Sequence, residues 1–139
     1  MARASSAETV ERCWALVGQR RGLIWCARRL RSARGLPLSV EFDGPWVLRR
    51  EERRHDVLGF LHTHPSGPPR PSRRDVRTMR AWCSAFGKPL LCVIACPSDR
   101  LAAYRFDNNH PEGVELAIVQ AFPRGILIGV EADGRQVSS

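Results

Sequence analysis

A mixed α+β (α/β) domain, a sheet covered by at least one helix, is the fold class the sequence predicts. Three observations point to it. Short stretches rich in β-forming residues recur between turn residues. One stretch has helical periodicity and a stop or start signal at each end. The chain has 139 residues and 43% hydrophobic content, enough for one domain with one core, so residues 1–139 are expected to fold together. Folding at this length removes roughly 68% of the unfolded surface from water, so no disulfide or metal staple is required. A bound metal is therefore expected to be functional.

Along the chain, residues 13–18, 23–30, 37–42 and 46–49 read as antiparallel strands. Residues 57–62 read as a further strand, buried on both faces. Residues 65–71, Pro-Ser-Gly-Pro-Pro-Arg-Pro, form a loop. Residues 72–86 are the clearest helix: Ser72 is a good N-cap, Asp75 stands three residues later, and Val76, Met79, Trp82, Cys83 and Phe86 fall on one stripe. Gly87 and Pro89 stop it. Residues 90–96, 101–106 and 126–131 are strands; residues 114–122 also read as a strand, with a helix left open.

Composition excludes several classes. The longest apolar run, residues 90–96, is far shorter than the roughly 20 residues that cross a bilayer. The first residues carry no apolar segment of the secretory kind, and five cysteines without framework spacing suit a reducing compartment, so a cytoplasmic location is expected. The net charge is +8, carried by arginine with Lys88 as the sole lysine. Arg20, Arg21, Arg28, Arg29, Arg31 and Arg34 form one run and Arg49 to Arg54 another. The second is broken by Glu51 and Glu52, and neither has interleaved aromatics, so nucleic acid is not expected as the main partner; a solvated basic face is the alternative.

The chemistry concentrates in residues 59–75. On an extended strand, residues i and i+2 point to one side about 7 Å apart, so His62 and His64 can converge on one ion. Pro65 ends the strand, and the loop returns the chain so that Asp75, in the first turn of the helix, can add a carboxylate. Three N/O donors are the set of a catalytic zinc site, whereas structural zinc sites are closed and cysteine-rich. The competing reading makes the histidines ordinary polar residues and Ser72 with Asp75 a helix-capping pair.

His62-x-His64-Pro65, six residues, then Ser72-x-x-Asp75 resembles the JAMM motif of the MPN/JAB metallopeptidases, H-x-H-P-x6-S-x-x-D. The resemblance implies a curved mixed β-sheet flanked by helices. It also implies a zinc-dependent isopeptidase or peptidase that cuts at the C-terminus of a ubiquitin-like protein, in deconjugation or precursor processing. Carried onto this chain, His62, His64 and Asp75 would hold Zn2+, and Ser72 would stabilise the oxyanion. The proline-rich loop is similar to those of stand-alone bacterial JAB proteins encoded beside ubiquitin-like conjugation enzymes, which makes E1- and E2-like enzymes expected associates. A substrate tail would be expected to lie along an exposed sheet edge.

The same family requires a glutamate that accepts a proton from the metal's water. Glu11 is favoured, because Glu11-Arg-Cys13-Trp-Ala-Leu16-Val-Gly18 resembles the family's E-x-C-G-x-L-x-G stretch; Trp14 departs from it, and Glu8 and Glu41 stay as rivals. The five cysteines read as core thiols, His55 and His110 as exposed, and Trp25, Trp46 and Trp82 as packing residues. Two other functions stay open. One is a DNA-associated protein, since the His-Pro-Ser-Gly run also resembles the RadC-type branch of the superfamily; the other is a non-catalytic MPN interaction module.

Overall fold

The computed structural model describes residues 11–34, 37 and 43–131. The order is β1 (Arg12–Arg21), β2 (Ile24–Arg34), α1 (Gly44–Arg54), β3 (Val57–Thr63), α2 (Arg73–Phe86), β4 (Leu90–Cys96), a 3-10 turn (Pro97–Asp99), β5 (Arg100–Asp107), β6 (His110–Phe122) and β7 (Gly125–Glu131).

The expected α+β sheet flanked by helices is not what forms. The described chain is mostly β, and its strands close into a barrel in the order β1-β2-β7-β6-β5-β4-β3, with β3 returning to β1. All neighbours are antiparallel except β3 and β4, which the α2 crossover joins in parallel. Closure follows from strand length and local kinks. β1, β2 and β6 run 10, 11 and 13 residues, longer than the apolar stretches that announced them. Register shifts between Trp14 and Ala15, Leu16 and Val17, Arg105 and Asp107, Leu116 and Ile118, and Ile118 and Gln120 coil the sheet until its borders meet.

The second correction concerns residues 46–49, which lie in α1 rather than in a strand. Trp46 and Val47 favour β locally, but Asp43 caps the helix, its Oδ1 accepting from Trp46 N at 3.1 Å. Pro45 suits the first turn, and Arg49 to Arg54 are straight-chain helix formers. The strand expected at residues 37–42 lies outside the described residues, except Pro37, which is in a turn. The segment left open at residues 114–122 belongs to strand β6.

Two apolar clusters divide the interior. Phe60, Leu90, Cys92, Ile94 and Phe106 face α1 and α2, packing with Val47, Met79, Trp82 and Cys83. Leu16, Leu61, Leu91, Val93, Ile126 and Ile128 meet inside the ring. β4 therefore alternates helix-side and ring-side, and nearly every residue of β3 is buried. Gly59 lets β3 approach β4: its φ is +151°, and a Cβ there would stand 2.0 Å from Leu91 O. Cys13, Cys83 and Cys92 are core thiols as expected, but Cys26 is exposed and Cys96 half-buried. His55 is exposed; His110 is half-buried, with its Nδ1 3.0 Å from Asp107 Oδ1. No described helix is long and apolar enough to cross a membrane.

Candidate metal centre

The strand that carries His62 ends against the helix that carries Asp75. Ser72 Oγ accepts from Asp75 N at 3.1 Å, and Asp75 Oδ2 accepts from Ser72 N at 2.8 Å, so α2 begins with a complete capping box. That box fixes where the carboxylate points. Asp75 Oδ1 lies 3.1 Å from His62 Nε2, and Asp75 Oδ2 lies 3.1 Å from His64 Nε2. One side chain thus both caps α2 and stands close to the two imidazoles.

The three donors lie within 4.8 Å of one another, and among the described residues no further His, Cys, Asp or Glu joins them. All three residues are buried: His62 is 3% exposed, His64 8% and Asp75 3%. His64 is held at two points. Its backbone N donates to Ala95 O at 2.9 Å, extending the β3–β4 ladder, and its Nδ1 stands 3.1 Å from Pro68 O. A carbonyl only accepts, so Nδ1 carries a proton; Nε2 stands 3.1 Å from Asp75 Oδ2 and is the nitrogen that would turn a lone pair to a bound ion. His62 differs: neither ring nitrogen makes a hydrogen bond, since the close approach to Asp75 is not aligned as one. An imidazole buried without a partner costs free energy, and a divalent cation beside Asp75 is the partner the donor set suits.

Burial opposes ionisation of Asp75, yet the His62 and His64 imidazoles and the Ser72 N–H hold its carboxyl well below the usual carboxylate range. The hydrogen bond to Asp75 raises His64, against the effect of burial, and the Glu11 charge adds to the rise. The Cys13 thiol is pushed far up, by burial first and then by the Glu11 and Asp75 charges, so it stays neutral beneath the cluster. Those influences put Glu11 beside the cluster, and the strand register agrees. Cys13 pairs with His62 and Arg12 N donates to Thr63 Oγ1 at 2.9 Å, so Glu11 comes opposite His64. Glu11 Oε1 is buried and has no hydrogen-bond partner. Its rivals Glu8 and Glu41 lie outside the described residues.

Three contributors escaped sequence reasoning. The carbonyls of Pro68 and Ala95 orient His64, and Tyr104, whose hydroxyl donates to Pro69 O at 3.0 Å, ties the proline-rich loop to β5. Backbone carbonyls leave no residue-type signal. Tyr104 is the chain's only tyrosine, but nothing in its neighbourhood links it to a loop 35 residues away.

The family model described as prokaryotic homologs of the JAB domain matches residues 1–107, a span that takes in the whole cluster. No curated protein matches the chain.

Proposed function

The chain belongs to the family of prokaryotic homologs of the JAB domain, and from that premise we propose that it is a zinc-dependent isopeptidase or peptidase acting at the C-terminus of a ubiquitin-like protein. The observation that carries this reading is the buried His62–His64–Asp75 cluster, in which an imidazole without a hydrogen bond faces an ionised carboxylate beside the unpartnered oxygen of Glu11. His62 Nε2, His64 Nε2 and Asp75 would hold the ion. When bound, zinc supplies a Lewis acid for the scissile carbonyl and lowers the pKa of a coordinated water.

The chain's own groups do the rest. Glu11 Oε1, free of other hydrogen bonds, takes up a proton and returns it to the leaving amine. The Ser72 hydroxyl accepts from Asp75 N through a lone pair, which leaves its own hydrogen to donate to the developing oxyanion. The Pro68 carbonyl keeps His64 in one tautomer throughout.

The ring is closed, but β2 pairs with β7 only over Trp25 to Arg28. The outer stretch of β2, residues 30–34, therefore pairs with β1 alone among the described strands and leaves a border on which a tail could add by β-augmentation.

Two substitutions test the reading. Glu11→Gln should keep stoichiometric zinc and lower cleavage of a ubiquitin-like tail fused through an amide to a reporter by roughly 10²–10⁴-fold. Asp75→Ala should lose the zinc itself, read by elemental analysis. Full activity in Glu11→Gln moves the base elsewhere, and wild-type protein that takes up no transition metal ends the proposal.

A further inference from the structure

The two arginine runs, far apart in sequence, meet in space. A groove of about 1190 Å3 opens where β3 begins, bounded on one side by the β1–β2 hairpin and on the other by the end of α1. Arg20, Arg21 and Arg28 line it from the hairpin, and Arg53 and Arg54 from the helix; all five are exposed. None forms an ion pair with a described residue.

Two of the nearby acids are committed elsewhere. Asp56, the one acidic residue in the lining, binds Arg50 through both oxygens, at 2.8 and 2.6 Å. Glu51 accepts from Lys88 Nζ at 3.0 Å and from Val57 N at 3.1 Å. Of the two glutamates that interrupt the run in sequence, Glu51 is therefore turned away from it and Glu52 is exposed outside the lining, so the lining holds no acid ion-paired with the five arginines. Arg20 and Arg21 are nonetheless held, by Gly22 O and Gln19 Oε1, and the Arg20 guanidinium lies 4.7 Å over the Trp25 ring.

We propose that this groove binds the phosphodiester backbone of a single-stranded nucleic acid, through the five guanidiniums and without reading base identity. Planar guanidinium forks match phosphate oxygens, and their number suits a repeating polyanion. Base stacking contributes little: Trp25 is 4% exposed with Arg20 over its ring, which leaves Phe122 as the exposed aromatic in the lining. A concave seat admits a strand that bends, whereas a duplex stays straight over about 150 base pairs. The groove and the metal cluster stand at opposite ends of β3, so the proposal is independent of the peptidase reading.

The test is fluorescence anisotropy of the full chain with a labelled oligo-dT, at 50 and 200 mM salt. Each phosphate neutralised contributes a slope of about −0.7 in log K against log salt, so the slope should be no steeper than about −3.5 for five arginines. R53E/R54E, at the end of a surface helix, should weaken binding at least 10-fold, as should R20E/R21E on the hairpin. R77E/R80E on α2, with the same change in net charge, should cost less than 3-fold. Absence of binding at 50 mM salt overturns the proposal. So does an equal loss in R77E/R80E, which would leave net charge alone as the cause, or polyglutamate competing as well as oligo-dT, which would make the groove a seat for acidic protein.

Discussion

β3 ends in two chemically opposite places. At its C-terminal end, two imidazoles and a carboxylate are almost wholly withdrawn from water, Asp75 tied by a helix cap, His64 by a ladder hydrogen bond and a carbonyl, and the His62 ring by no hydrogen bond. At its N-terminal end, arginines stand in solvent without carboxylate partners. The difference shows two ways of building a site. A metal site at the buried end would depend on position, so an error of an ångström in one donor would be decisive. Binding at the exposed end would depend on accumulated charge, where single positions matter less and dissolved salt matters more.

The strand shared by the two ends offers the most severe way to break the comparison. Gly59→Ala forces a Cβ into Leu91 O at a φ that L side chains avoid. It should lower stability to urea by about 3 kcal/mol or more and damage both ends together. A Gly59→Ala protein as stable as wild type would mean that β3 and β4 can separate without loss.

Ser72→Ala should be milder and confined to one end. Losing the hydroxyl that accepts from Asp75 N should cost about 1 kcal/mol in thermal or urea unfolding, with zinc still bound and cleavage slowed. The oligonucleotide affinity should not move. A change there would show that the ends communicate.

The smallest effect belongs to the N-terminal end. The Arg50 hydrogen bonds hold the Asp56 carboxyl below the usual carboxylate range, against the effect of burial. The folded state thus favours the ionised form. Its contribution is present above the unfolded value of about 3.9 and is lost as pH falls through the lower folded value. Wild type should therefore lose more stability than Asp56→Asn between pH 5 and pH 3, measured as the shift in urea midpoint. Parallel shifts in the two proteins would remove Asp56 from the acid response.

Legibility in the sequence followed the range of the forces involved. α2 was readable because its caps and apolar stripe are local, and Arg73–Phe86 begins one residue after the predicted N-cap. β4 coincides with its predicted bounds because a continuous apolar run between Pro89 and Pro97 admits little else. α1 was misread because Trp46 and Val47 outweighed Asp43 and Pro45, the capping signals that were present. Barrel closure was hidden, since alternation says which face a residue takes and not which strand lies beside it. The cluster was legible because its ligands lie within 13 positions of one another in sequence. The meeting of Arg20 with Arg54 was not, because it depends on how α1 leaves β2 and enters β3.

The seam between β2 and β7 has a consequence in time. It sets Trp25 against Ile128 and Arg28 against Gly125, so almost the whole polypeptide must be synthesised and collapsed before the ring can be completed. Loop closure over such a span comes before any contact rewards it, and chains dominated by distant strand pairing take milliseconds to seconds to reach the native state. Nascent molecules therefore pass through an interval in which β2 and β7 both show bare backbone where they will pair, and this seam is protected from stray strand pairing only at the last step.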